Sequence, residues 1–369
     1  MVIQYKLPQS RKKTNMSNTQ VEYVHLGKSG LRVSVPIVGA MSFGSSKWQS
    51  WVLEDDKSIE VLKAAWDRGI NTIDTANVYS NGESERIVSK FIDKYHIPRN
   101  EILILTKCNN LVHKDVGTHS TKHPELRNTR DYVNQCGLSR AAIFNAVENS
   151  LKRLNTTYID LLQIHRFDPT VPPEETMKAL HDLVQSGKVR YIGASSMRCW
   201  HFAMLNQVAD KNGWTKFISM QNEYSLMYRE EEREMNAYCN HHGIGIIPWS
   251  PVAGGFLTRP LGEATSRGEL IKGTKFYPDL TEADRVIINR VQEVSEKHGK
   301  SMAQIAMAWV NAKVSSPIVG MSNEKRVEEA VGINGFALTE DEMKYLEEPY
   351  EPKPVRGLWN PVFGLEDQP

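Results

Sequence analysis

Eight short apolar runs alternate with segments of helical spacing, and no G-x-G-x-x-G turn follows the first run. Together these predict an α/β fold, a closed (β/α)8 TIM barrel, rather than a doubly wound sheet. The runs are residues 36–40 (PIVGA), 70–73, 102–105 (ILIL), 158–164 (YIDLLQI), 189–194, 217–220, 244–249 and 317–319. Pro36 and Pro317 stand at strand starts, where no ladder donor is lost. The chain has 369 residues, which suits one barrel of about 250 residues with insertions.

The helical segments are marked by apolar residues sharing one face. These are Ile59, Leu62 and Trp66; Ile143, Val147, Leu151 and Leu154; Met177, Leu180 and Val184; Phe202, Leu205 and Ala209; Ile287, Val291 and Val294; and Ile305, Trp309 and Ala312. Thr281-x-x-Asp284, Ser301-x-x-Gln304 and Thr339-x-x-Glu342 read as capping boxes. Before the first barrel strand, residues 22–26 and 31–35 flank Gly27-Lys28-Ser29-Gly30, a hairpin expected to plug the barrel floor. Two long polar or Gly-rich stretches, 109–137 and 251–280, follow strands and belong at the C-terminal face, where barrel sites form.

Residues 1–20 carry Lys6, Arg11, Lys12 and Lys13 and no acid, and read as a disordered basic tail. Pro8 and the lack of an apolar core argue against a secretory signal. Residues 21–350 form the barrel domain, and 351–369 a C-terminal extension. Lys+Arg is 45 against Asp+Glu 44, a balance that argues against nucleic acid as partner. No 18-residue apolar run is present, so no membrane span is expected. The four cysteines, Cys108, Cys136, Cys199 and Cys239, are far apart without a C-x-x-C pair, so neither a metal site nor a disulfide frame is expected. A reducing, cytoplasmic location is the simplest reading.

Chemistry in such a barrel sits where strands end. Asp74 ends the second strand and Tyr79 follows it; Lys107 ends the third; His165 the fourth; Ser195 and Ser196 the fifth; Gln221 the sixth; Trp249 and Ser250 the seventh. Each alone has a bland reading as cap, core or solvated residue. Together Asp, Tyr, Lys and His form a proton-transfer set. A phenol is a poor acid at neutral pH, with a pKa of about 10. A neighbouring ammonium favours the phenolate, and a carboxylate keeps that ammonium charged. A neutral histidine can orient a carbonyl oxygen that gains charge in the transition state. No side chain delivers hydride, so a cofactor must.

The stretch INTIDTANVYSNGESE (70–85) resembles the signature of the aldo-keto reductase superfamily, and LKRLNTTYIDLLQIHRFDP (151–169) its second signature. GASSM (193–197), MQNEYSL (220–226), PWSPVAGGFLTR (248–259) and PIVGMSNEKRVEEAV (317–331) match in order. The resemblance covers residues 22–350 and is strongest to the fungal aryl-alcohol dehydrogenase-like branch. It implies a barrel reductase of carbonyls that uses NADP(H), with NAD(H) less favoured.

The resemblance also implies roles. Tyr79 is the general acid, Lys107 and Asp74 its tuning pair, and His165 the carbonyl-orienting residue. Ser195 and Gln221, with Ser196, match positions that hold the nicotinamide carboxamide. Trp249 matches the aromatic stacked on the nicotinamide. Ser250, Pro251, Gly254, Leu257 and Arg259 match a strap over the pyrophosphate. Arg326 matches an arginine on the 2′-phosphate and Glu329 an adenosine contact; Ser322 and Gly320 at the last strand, and Met41 and Ser42 after the first, complete the cofactor set. Independently of the resemblance, 322–331 should open a helix just after the last strand, where barrels often bind phosphate. Ser196, Gly320 and Ala330 depart from the pattern, where many or some relatives have Asn, Lys and Asn.

Phe43, Trp48 and Trp51 follow the first strand; facing inward, they favour flat aldehydes, while packing under a lid is the competing reading. No Arg or Lys cluster in these loops demands an acidic substrate, though Arg166 beside His165 could meet one. The expected function is therefore NADPH-dependent reduction of aldehydes, aromatic ones among them, reversible as alcohol oxidation, on a small-molecule substrate and without metal. A redox-sensing auxiliary subunit resembling potassium-channel β-subunits is the alternative. A Schiff-base lyase using Lys107 is the third reading, disfavoured because Asp74 should hold that amine as ammonium.

Overall fold

A computed structural model describes residues 21–263, Gly273 and 279–357. The basic tail 1–20, most of the 264–278 stretch and the 358–369 part of the extension lie outside the described residues.

The chain opens with an antiparallel hairpin, β1 (Glu22–His25) and β2 (Arg32–Val35). Its tip packs under the barrel. The Lys28 N–H donates to the Gly243 carbonyl at 2.7 Å. A Cβ at Gly245 would fall 2.4 Å from the Leu26 side chain, so glycine lets the plug approach the strand. Leu26 and Val33 bury fully with Ile37, Leu105, Leu161, Ile247 and Ile318, forming the apolar floor of the barrel.

Each apolar run of the sequence overlaps one barrel strand, several of which run one to three residues further toward the mouth. These are β3 (Ile37–Gly39), β4 (Thr72–Asp74), β5 (Leu103–Cys108), β6 (Ile159–Ile164), β7 (Val189–Ser195), β8 (Ser219–Gln221), β9 (Gly245–Ile246) and β10 (Ile318–Gly320). They pair in parallel in the order β10-β3-β4-β5-β6-β7-β8-β9. The ring closes where the Ile318 N–H donates to the Pro248 carbonyl at 2.9 Å. The strands are buried on both faces, which is why they read as continuous apolar runs rather than alternating ones.

The helices are α1 (Asp55–Asp67), α2 (Glu83–Lys94), α3 (Arg140–Leu154), α4 (Pro173–Gln185), α5 (Cys199–Lys211), α6 (Met235–His242), α7 (Glu282–His298), α8 (Met302–Asn311), α9 (Glu324–Val331) and α10 (Glu340–Glu347). The six marked by apolar spacing are α1, α3, α4, α5, α7 and α8. All three capping boxes form, at the starts of α7, α8 and α10. The α2 and α6 helices are additional. The inward face of α2 carries buried Ser84 and Glu85, with Glu85 bonded to Arg153 and Thr106 at 2.6 Å each, which blurs its apolar period. The two-turn α6 buries only Met235 and Cys239.

A second apolar cluster joins α7, α8 and α10 through Ile287, Val291, Ile305, Trp309 and Leu346. Ala253 and Leu257 bury in it, and so anchor the loop that follows β9. The other long loop, 109–137, is fastened to the mouth by Asn81, whose amide donates to the carbonyls of Asp115, Val116 and Thr118.

Candidate active site

Strand alternation lifts the polar groups one layer above the apolar floor. Leu105 and Leu161 lie in the floor cluster, and two residues further along each strand stand Lys107 and Gln163. Asp74 ends β4 beside them, 2 % exposed, and Lys107 is 1 % exposed.

The Lys107 Nζ donates to Asp74 Oδ1 at 2.5 Å, to the Thr75 carbonyl at 2.8 Å and to the Tyr79 hydroxyl at 3.3 Å. Its three ammonium protons thus have three acceptors. Burial pulls this amine down, but Asp74 and Tyr79 outweigh burial, and the group sits above the ordinary lysine value. The other oxygen of Asp74 accepts from the Gln163 and Gln221 amides, both at 2.9 Å. Gln221 also donates to Gln163 Oε1 at 2.8 Å. The carboxylate is therefore fixed on both oxygens, and Lys107 has no route to neutrality by losing its partner.

His165 meets the Tyr79 ring edge-on, with centroids 5.9 Å apart. Its Nδ1 lies 3.1 Å from the Asn110 amide nitrogen. With the amide donating, Nδ1 is the acceptor and Nε2 carries the proton. Burial, Arg166 and Lys107 hold the imidazole well below the ordinary histidine value, so the ring is neutral. The site thus presents a phenol hydroxyl and an imidazole N–H side by side.

A second chain of hydrogen bonds leaves the ends of β7 and β8. Glu231 accepts from the Asn222 amide at 2.6 Å, Asn222 Oδ1 accepts from the Ser196 N–H at 2.9 Å, and Ser196 Oγ accepts from the Trp249 indole at 3.2 Å. Ser196 takes a left-handed conformation (φ 44) that this chain holds. Ser195 Oγ donates to the Gln221 carbonyl at 2.8 Å. Burial, with Glu223 and Glu230 nearby, pushes the Glu231 carboxyl up to about 7.

The opposite rim is built from backbone. Ser250, Ala253, Gly254 and Gly255 have φ of 60, 51, 66 and 108, all left-handed, and the Gly254 N–H donates to Ser250 Oγ at 3.0 Å. Such turns bring successive N–H groups into one concavity, an anion nest. Asn323 caps α9, its side chain accepting from the Arg326 N–H at 3.0 Å. Ser322 and Arg259 are exposed, and Gly320 has open space where a Cβ would be. Arg326 is half-buried and bonds Glu329 at 2.5 Å. Ser42, next to half-buried Met41, has a buried hydroxyl without a hydrogen-bond partner. A dinucleotide phosphate fits this donor set: backbone N–H groups, two arginines and an orphaned buried hydroxyl, all on the β3, β9 and β10 side.

The structure brings Asp74, Tyr79, Lys107 and His165 together. It does not do so for Phe43, which is fully buried in the main core and presents no surface to a ligand. Its backbone forms an isolated parallel bridge with Leu53. Trp48 is half-buried, stacked on His119 of the 109–137 loop with centroids 4.8 Å apart, so it works as a clasp between two loops. Trp51 is half-buried; Pro251 and Leu257 are buried. Five residues join the site that strand-end reasoning passed over: Thr75, Asn110, Gln163, Asn222 and Glu231. Gln163 carried a signal, since it shares the inward face of β6 with Leu161 and His165. The amides on loops carried none, because their partners come from other strands.

Among the described residues no cluster of three or more His, Cys, Asp or Glu could hold a metal, and no helix is long and apolar enough to cross a membrane. The four cysteines are free thiols. A family model described as the aldo/keto reductase family matches residues 37–351. An aldo-keto reductase of Fusarium vanettenii is 52% identical over 360 residues, 95% of this chain and 97% of that protein. A Schizosaccharomyces pombe protein whose name assigns it to the aryl-alcohol dehydrogenases is 51% identical over 346 residues, 91% of this chain and 97% of that one. The versiconal hemiacetal acetate reductase of Aspergillus parasiticus is 49% identical over 339 residues, 91% of this chain and 98% of that one.

Proposed function

The chain belongs to the aldo/keto reductase family, and from that premise we propose that it reduces aldehydes to alcohols with NADPH, Tyr79 giving the proton, and runs the reverse oxidation when the cofactor ratio favours it. The observation that carries this reading is the Lys107 ammonium held between Asp74 Oδ1 at 2.5 Å and the Tyr79 hydroxyl at 3.3 Å.

The roles follow from the geometry. As the Tyr79 proton moves to a carbonyl oxygen, negative charge grows on the phenol oxygen, and the ammonium beside it stabilises that charge. Asp74, braced by two amides, keeps the ammonium from drifting. His165 donates a hydrogen bond from its Nε2–H to the same carbonyl oxygen and so fixes the direction from which it is approached. NADPH, when bound, supplies the hydride. Gln221 spends its amide protons on Asp74 and Gln163, which leaves its carbonyl oxygen as an acceptor for the carboxamide, with Ser195 and Ser196 beside it. Trp249 gives the nicotinamide a flat neighbour. The left-handed turn after Ser250 and the start of α9 would hold the phosphates, with Arg259 and Arg326 as counter-charges.

The relatives named as aryl-alcohol dehydrogenases support aromatic aldehydes as the substrates to try first. A panel of benzaldehyde, its para-methyl derivative and an aliphatic aldehyde, run with NADPH beside NADH and followed by cofactor absorbance, tests the reading. Aromatic aldehydes should turn over, with NADPH preferred. Absence of any cofactor oxidation, with NADPH bound tightly, would favour the auxiliary-subunit alternative instead.

A further inference from the structure

We propose that Arg166 is the substrate-recognition cation of this site, and that the preferred aldehydes carry a carboxylate or equivalent anion on the side of the mouth where β6 ends. The inference rests on the aldehyde-reductase reading and narrows its substrate class.

Arg166 directly follows His165 at the end of β6. Around the ring β6 stands four strands from β10 in either direction, so it faces the phosphate side across the full width of the mouth. A cation there cannot serve the phosphates at the start of α9.

Three other cations around the mouth are engaged by carboxylates: Lys107 by Asp74, Arg326 by Glu329, and Arg356 by both oxygens of Glu223, at 2.7 and 3.1 Å. Arg166 makes one hydrogen bond through its guanidinium, from Nη1 to the His165 carbonyl at 2.6 Å, and among the described residues no ion pair. Among the described residues its other four N–H donors have no acceptor. Its backbone is nevertheless fixed, since the Asn109 amide donates to the Arg166 carbonyl at 3.2 Å.

Burial pulls the guanidinium down to about 10, with Tyr79 and Glu223 acting against it, so it stays charged at neutral pH within the field of the catalytic phenol. Glu223 does not neutralise it, because that carboxylate is committed to Arg356, with Lys353 adding positive charge nearby. A half-buried cation without a counter-ion is an unfavourable arrangement that an incoming anion relieves. The planar guanidinium fork suits a carboxylate with two parallel bonds, and a substrate held there would present its aldehyde to His165 and Tyr79 next door.

The test compares para-carboxybenzaldehyde with its uncharged methyl ester, using kcat/KM with NADPH for the wild type, Arg166→Lys and Arg166→Met. Circular dichroism and thermal melting check that each variant is folded. The wild type should favour the carboxylate by at least about tenfold, the worth of one charged hydrogen-bonded contact. The ratio should collapse to about one or below in Arg166→Met and recover in part in Arg166→Lys, which keeps the charge without the fork. High salt should lower the wild-type ratio and leave the Met variant's unchanged. A wild type that prefers the ester, or a ratio that is the same in Arg166→Met, overturns the inference while ester turnover leaves the aldehyde-reductase reading standing. Failure of the wild type to reduce either compound overturns both.

Discussion

Lys107 and Arg326 are both cations at the mouth of one barrel, and their surroundings differ. Lys107 is 1 % exposed and bonded to a carboxylate, a carbonyl and a phenol that come from the neighbouring strand β4 and the loop after it. Arg326 is half-buried on a short helix and bonded to Glu329, three residues along the same helix. Removing the first disturbs a network shared among β4, β5, β6 and β8; removing the second disturbs one turn. The difference teaches what each charge is for. A charge that must stabilise another charge as it forms works best held rigid in a low-dielectric site. A charge that draws a polyanion out of water can stay hydrated and trade an intrahelical partner for the ligand.

The largest expected effect lies on the buried side. Lys107→Met leaves the Asp74 carboxylate with only two amides, and breaking a buried pair costs about 3–5 kcal/mol of stability. Turnover should fall at least about a hundredfold. Urea unfolding and kcat read the two effects; a variant as stable as wild type would show that the pair is not the anchor of the site. On the phosphate side the loss should be confined to binding. Arg326→Met should weaken NADPH binding by at least about tenfold, through a lost charge-assisted contact, while unfolding stability barely moves. Titration of cofactor fluorescence reads it, and an equal loss for NADH would contradict a role at the 2′-phosphate.

The smallest effect is in pH dependence. His165 is held well below its ordinary value of 6.5 in the folded chain. The unfolded chain therefore binds a proton that the folded chain refuses as pH falls below that value. Stability from this group is present above the unfolded value and declines on acidification toward the folded one. Relative to wild type, His165→Gln should lack this part of the decline between about pH 7 and pH 5. Parallel stability curves would mean that the ring is not held neutral.

The same contrast explains what the sequence makes legible. Strands buried on both faces announce themselves as apolar runs, and capping boxes are local, so the barrel and the starts of α7, α8 and α10 can be read directly. Asp74, Tyr79, Lys107 and His165 are legible because strand ends converge. Gln163, Asn110 and the Glu231–Asn222–Ser196 chain are not, because their meaning lies in partners from other strands. The α2 helix hides because Glu85 occupies its inward face, satisfied by Arg153 from α3. Phe43 misleads for the opposite reason: an aromatic after a barrel strand suggests a ligand wall, yet the local turn points it into the core.

The central claim is that the phenol of Tyr79, set beside a fixed ammonium, is the proton source. Tyr79→Phe removes only the hydroxyl. With benzaldehyde and NADPH, single-turnover rates should fall at least about a hundredfold while the NADPH dissociation constant stays within about twofold. A rate close to wild type would contradict the account.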